Sequence, residues 1–235
     1  MVYFALLYFI PAYLQICHGM DPLQASVHII PWLITHGFWM TASGYVMSFP
    51  WPWRWPADKD QVSYGPVMWL GYTCLTAVCI GYSIARSVPS VDGLQVLAGF
   101  GTGSVFSNSI LVLQSHTEQD ETATVLGVRS LVRTIGGALG SAIGNVIIGQ
   151  VLQRYLPARW KELSTKSFSK PPFSRMTAED AEQTITAFEK GFEWAFICCT
   201  IIMGLCLGLC WFIRDRGMHR QQIVQKERRL SAEHT

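Results

Sequence analysis

Charge is what this sequence has least of. Only 14% of its 235 residues are Asp, Glu, Lys or Arg, where a soluble domain carries about 25%. The charges fall in a few blocks, separated by long stretches with almost none, and half of the chain is hydrophobic. That pattern excludes a disordered chain, a coiled coil and a secreted disulfide scaffold. A net charge of +2 gives no footprint for nucleic acid. The seven cysteines (17, 74, 79, 198, 199, 206 and 210) lie in or at the ends of apolar stretches. None has metal-ligand spacing with a histidine, so they read as small apolar residues, and neither metal nor cofactor is expected. Strict apolar–polar alternation is missing, which disfavours a barrel. The start, Met1-Val2-Tyr3-Phe4, lacks the basic region and cleavage site of a signal peptide. What remains is an all-α integral membrane protein.

Six segments are long and apolar enough to cross a bilayer, whose core of about 30 Å needs roughly 20 helical residues. They are residues 2–17, 23–49, 67–85, 93–113, 123–151 and 194–213. A chain this short cannot hide six all-round apolar helices from water, so lipid must surround them. Residues 1–213 thus form a six-span unit, and 214–235 a basic tail. The turn at 18–22 holds Gly19 and Asp21-Pro22. Residues 50–66 place Trp51, Trp53 and Trp55 among prolines, as suits a membrane–water interface. The long connection, 152–193, carries Thr177-Ala178-Glu179-Asp180, a capping-box pattern that predicts a short surface helix from about Ala178 to Lys190, ended by Gly191.

An even number of spans places both termini on one side. The tail and the long loop nearly tie in basic residues, six against seven. Arg54 and Lys59 add to the tail's side and Arg86 to the other; Arg129 and Arg133 also favour the tail's side. The positive-inside rule therefore leans to a cytoplasmic tail and an extracellular loop.

No Asp or Glu falls inside these six segments. Their ionisable residues are His28 and His36 in the second, and Arg129 and Arg133 in the fifth. Burying a charged side chain at mid-membrane costs roughly 2.5–3.5 kcal/mol on insertion scales. Arg133 therefore either faces a polar cavity or snorkels to the interface. His36 either exchanges a proton or bonds a neighbouring helix. Gln15, Asn108, Gln114, Asn145 and Gln150 either line a cavity or bond across helices. Gly136, Gly140 and Gly144 recur every four residues, which lets two helix backbones approach. Pro31 should kink its helix. Glu118, Asp120 and Glu121, near His116, are the nearest approach to an acid/base cluster, and they read as a solvated turn; no catalytic residue and no enzyme is expected.

Taken in order, several stretches resemble the C-terminal half of the major facilitator superfamily, in its fourteen-span drug/proton antiporter branch. They are Tyr8-Phe9-Ile10-Pro11-Ala12-Tyr13-Leu14-Gln15, Gly19, Pro22-Leu23-Gln24-Ala25-Ser26, Ile30-Pro31, Gly99-Phe100-Gly101-Thr102-Gly103, Gln114, Ala123-Thr124, and Arg133-Thr134-Ile135-Gly136-Gly137-Ala138-Leu139-Gly140. The resemblance implies a six-helix bundle made of two inverted three-helix repeats, half of a transporter that rocks around a central cavity. It implies a cytoplasmic C-terminus and export of hydrophobic or amphipathic small molecules in exchange for protons, from the plasma membrane or the vacuolar membrane. On this reading the first, second, fourth and fifth spans line the cavity, through Gln15, His36, Asn108 and Arg133. The 50–66 loop departs from the family in lacking its Gly/Arg-rich form. The chain starts at what would be the first helix of the C-terminal half, so it is expected to be a fragment lacking the N-terminal half, or else to pair with a second six-span unit. A non-transporting truncated protein or assembly partner is the alternative the sequence leaves open.

Overall fold

The computed structural model describes residues 1–48, 65–117, 121–164, 171, 173 and 176–210. The tryptophans of the 50–66 loop, Glu118, Asp120 and the basic tail lie outside these residues. The helices are α1 (Val2–Cys17), α2 (Pro22–Val27), α3 (Ile30–Ser48), α4 (Gly65–Ile84), α5 (Val88–His116), α6 (Thr122–Tyr155) and α7 (Ala178–Cys210), with a 3₁₀ segment, Ala158–Ser164, between the last two. There is no strand among the described residues. Four helices, α4 to α7, are long and apolar enough to span a membrane, and α1 is a shorter apolar helix.

Unlike a soluble protein, the molecule is apolar on its surface as well as in its interior. In the most apolar window of each of those four helices only 28–39% of the residues are buried. Leu33, Ile34, Phe38, Val132, Leu139, Ile201, Leu205 and Leu209 stand exposed. An apolar surface of that extent needs lipid or another protein against it. The interior is built instead from close helix contact. α1 sends Leu6, Phe9, Ile10 and Leu14 against Ile148 and Leu152 of α6 and Phe188, Phe192 and Phe196 of α7.

The pairing of helices carries the repeat. With α1, α3 and α4 as one trio and α5, α6 and α7 as the other, the extensive contacts are α3 with α5 and α1 with α6, α4 with α5 and α1 with α7, α4 with α7, and α6 with α7. Exchanging the trios maps each of these pairs onto another or onto itself except α6 with α7, whose counterpart, α3 with α4, makes no extensive contact among the described residues. Consecutive spans alternate in direction, so corresponding helices run oppositely, as inverted repeats require.

Glycine sets the closest approaches. On α5, a Cβ on Gly99 would sit 2.7 Å from the Trp32 carbonyl of α3, and one on Gly101 would sit 3.0 Å from the Gly71 carbonyl of α4. On α6, a Cβ on Gly140 would meet Met1 at 2.8 Å, and one on Gly144 would collide with the Phe9 ring. Gly137 is as tight, its Cβ position 2.7 Å from Phe4, whereas Gly136 has nothing nearer than 3.6 Å. The tight stripe is thus Gly137–Gly140–Gly144, with Gly136 at its margin.

Three boundaries differ from those read in the sequence. The second span is broken at His28–Ile29 into α2 and α3. Pro31 lacks the N–H that would bond the Val27 carbonyl, and its ring crowds that carbonyl. The fourth span begins at Val88, not Gly93, which brings Asp92 inside a helix. The last begins at Ala178 and runs without interruption to Cys210, so the separate surface helix and its stop at Gly191 are not found. Gly191 instead packs in mid-helix, its Cβ position 3.2 Å from Ile148 of α6. At about 1.5 Å per residue the 33 residues of α7 span about 50 Å, so its first turns rise clear of a 30 Å core.

The ion pairs found among the described residues gather at one end of the bundle. Arg86, in the turn between α4 and α5, reaches Glu189 at 2.8 Å and Glu193 at 3.2 Å. Arg159 of the 3₁₀ segment reaches Asp180 at 2.9 Å. His28, at the α2–α3 break, meets Asp92 of α5 at 2.8 Å. With Arg86 57% exposed, its pairs contribute at most about 1 kcal/mol.

Candidate substrate cavity

Nearer the middle of the bundle the polar side chains change character: cations and rings gather there without carboxylates. Arg129 and Arg133 lie one turn apart on α6, on the same face as the glycine stripe. Counted along α6, whose 34 residues extend about 51 Å, the central 20 or so residues that a 30 Å core holds run from about 129 to 148. Arg133 is therefore inside the core and Arg129 at its edge. Both guanidinium groups converge on the ring of Phe106 from α5, with Cζ 5.8 Å from its centroid for Arg129 and 5.2 Å for Arg133. Arg133 also lies 5.8 Å from the Phe4 ring of α1. A cation over an aromatic face gains roughly 0.5–2 kcal/mol, more as water is excluded. That offsets part of the cost of holding charge at this depth.

The two arginines are held differently. Arg129 donates from Nη2 to Ser109 Oγ at 2.6 Å and to the Phe106 carbonyl at 3.3 Å. Arg133 has no hydrogen-bond partner among the described residues, and its Nε is buried. Neither forms a salt bridge among those residues.

The other side of Phe106 is closed by α1 and α3. Tyr3 stands 5.0 Å from it between ring centroids, and His36 meets it edge-on at 5.3 Å. His36 Nδ1 lies 2.9 Å from Thr102 Oγ1 of α5, and the buried Trp32 donates its indole N–H to the same oxygen at 3.1 Å. Thr102 has one proton, and a 2.8 Å bond gives it to the Ala98 carbonyl. With Nδ1 held by Thr102, Nε2 is the ring nitrogen of His36 that the hydroxyl does not engage. One threonine thereby holds both an indole and an imidazole.

Of the residues singled out from the sequence, His36 and Arg133 are brought together, through Phe106. Gln15 lies on the same stripe of α1 as Phe4, Tyr8 and Pro11 (positions i, i+4, i+7 and i+11). It is half-buried, eleven residues or about 16 Å from Phe4. Asn108 does not join them. It is two positions past Phe106, about 200° round α5, on the side that meets α4; it is wholly buried, and both amide atoms lack partners among the described residues. Pro31 sits beside the helix break and Gly140 and Gly144 between α6 and α1, none of them in the cluster.

Sequence reading missed Tyr3, Phe4, Trp32, Thr102, Phe106 and Ser109, ordinary span residues without a distinguishing pattern. It also missed the His28–Asp92 pair. The signal for that pair was present: Ser87-Val88-Pro89, a serine followed by an early proline, marks a helix start five residues before the one drawn.

The uncovered surface of α6 divides into two flanks. Ser130, Thr134 and Ala138 give one of small and polar groups, while Val128, Val132, Ile135, Leu139 and Val146 give the other of large aliphatics. Lipid suits the second, and the first continues the polar face of the cluster.

The sequence model of the family described as Major Facilitator Superfamily matches residues 1–141. The chain is similar to an efflux pump, dotC, of Dothistroma septosporum, 29% identical over 77% of this chain and 28% of that protein. It is similar to citrate exporter 1 of Yarrowia lipolytica, 23% identical over 94% of this chain and 32% of that protein. A tetracenomycin C resistance and export protein of Streptomyces glaucescens is 27% identical over 66% of this chain and 27% of its own length. The chain thus spans about a quarter to a third of the length of the curated relatives it matches.

Proposed function

The chain belongs to the major facilitator superfamily, and on that premise we propose that it forms one six-helix bundle of a proton-coupled exporter of hydrophobic or amphipathic small molecules. It works against a second such bundle, with a cytoplasmic C-terminus and the 152–193 connection outside, in the plasma membrane. The observation that carries this reading is the convergence of α1, α3, α5 and α6 on Phe106. Alternating access needs a site between two bundles, formed by side chains from several helices. The aromatic rings accept an apolar body, and His36 Nε2 is the atom that takes a proton as the substrate moves. Gln15, half-buried on the same face of α1, extends the lining along the passage. The names of the relatives, an efflux pump, a citrate exporter and a resistance and export protein, support export.

The test is substrate efflux driven by a proton gradient in vesicles holding this bundle with a second one. His36→Ala should remove the dependence on the gradient and Arg133→Ala should weaken substrate affinity. Intact affinity and transport in both variants would refute these roles.

A further inference from the structure

The cluster around Phe106 carries a net positive charge that no ion pair among the described residues balances. Two guanidinium groups stand one turn apart and converge on one ring, although like charges at that spacing repel. The described carboxylates that form ion pairs, Asp92, Asp180, Glu189 and Glu193, bind His28, Arg159 and Arg86 instead. The arginines also divide the work. Arg129 is tied down by Ser109 and the Phe106 carbonyl. Arg133 rests only on the faces of Phe4 and Phe106, with its buried Nε unspent. Nε together with one Nη is the side-on fork that grips a carboxylate through two parallel N–H···O bonds. The rings around it offer an apolar platform and no competing acceptor charge.

From this arrangement we propose that the substrate is an aromatic or amphipathic carboxylate, its carboxylate gripped by Arg133, with Arg129 as the fixed second charge, and its apolar body lying on Phe106, Phe4 and Tyr3. This deepens the transport reading above and rests on the same site. Direction of charge is what the geometry selects: an amine or quaternary cation would meet two guanidinium groups and no carboxylate among the described residues paired with them.

Two near-isosteric probes test it, 2-naphthoate and 2-naphthamide, by equilibrium dialysis against the purified chain in non-ionic detergent at pH 7.5. The native chain should bind the carboxylate at least tenfold more tightly than the amide. Arg133→Gln should bring the two affinities to within about twofold by weakening the carboxylate alone. Arg129→Gln should leave a preference of intermediate size, and Arg133→Lys, which keeps the charge but not the fork, should fall between native and Arg133→Gln. The ratio is read within each folded variant, so loss of protein does not imitate the effect. Equal affinities in the native chain, a ratio unmoved by Arg133→Gln, or no saturable binding of either probe would overturn the proposal. Failure of the transport reading is distinguishable, because naphthoate would then bind with the expected preference yet show no flux across vesicles holding two bundles.

Discussion

Thr102 shows how much one hydroxyl can hold at the residue scale. It accepts from Trp32, bonds His36 Nδ1 and reaches the Ala98 carbonyl of its own helix. Thr102→Val keeps the shape and strands the buried indole N–H, at about 1–3 kcal/mol. Thermal unfolding in detergent should show that loss, and Thr102→Ser should restore most of it. Asn108 is the opposite case, a wholly buried amide without partners among the described residues. If it serves only to fill space against α4, Asn108→Leu removes an unsatisfied group and should raise stability by about 1 kcal/mol with binding unchanged. A loss of substrate affinity would return Asn108 to the lining. Nothing in the sequence separates these two residues, since both are polar positions in one apolar helix. Only the angular position on α5 and the neighbour across it tell them apart.

At the scale of elements, the glycine stripe on α6 was legible from its four-residue spacing, with Gly140 and Gly144 both tightly packed and only its first member displaced. Gly137, not Gly136, faces Phe4. Gly136→Ala should stabilise by up to about 1 kcal/mol through helix propensity, because its nearest neighbours lie at ordinary contact distance. Gly137→Ala must push the Phe4 ring aside and should cost about 1–3 kcal/mol. A comparison of their melting temperatures decides which register is right. Pro31 announced a disruption and the backbone broke two residues before it. Gly191 misled, since a glycine after a lysine resembles a helix end, whereas here the small residue admits Ile148 from α6. The reach of α7 beyond the bilayer brings Asp180 to the 3₁₀ segment. Burial there opposes its charge, yet hydrogen bonds from Thr177 and Trp160 and the Arg159 guanidinium prevail, holding its carboxyl below the usual range. A carboxyl with a lowered folded pKa stabilises above its unfolded value, about 3.9, and that contribution is lost as pH falls through the folded one. The protection of residues 178–184 against hydrogen exchange, taken relative to the intrinsic rate at each pH, should therefore hold from neutral pH to about pH 5 and fall in acid. Asp180→Asn should show the reduced protection at neutral pH.

The whole molecule is a membrane bundle because its charges are few and segregated, and that was plain in the composition. An inverted pairing of two helix trios is what the family resemblance implies, and the helix contacts follow it except that α6 packs on α7 while α3 does not pack extensively on α4. The convergence on Phe106 was not legible, because it depends on side chains from four helices far apart in sequence. If the bundle works as proposed, the polar face of α6 borders a water-filled passage while its aliphatic face borders lipid. Thr134 and Val132 lie at nearly the same depth, two residues or about 3 Å apart, on opposite flanks. In a chain whose native cysteines are replaced by serine or alanine, single cysteines at 134 and 132 are exposed to a charged, membrane-impermeant thiol reagent in vesicles carrying this bundle with its partner bundle. The account predicts rapid modification at 134, slowed by bound substrate, and little or none at 132. Equal reactivity at the two positions, or the reverse order, would contradict it.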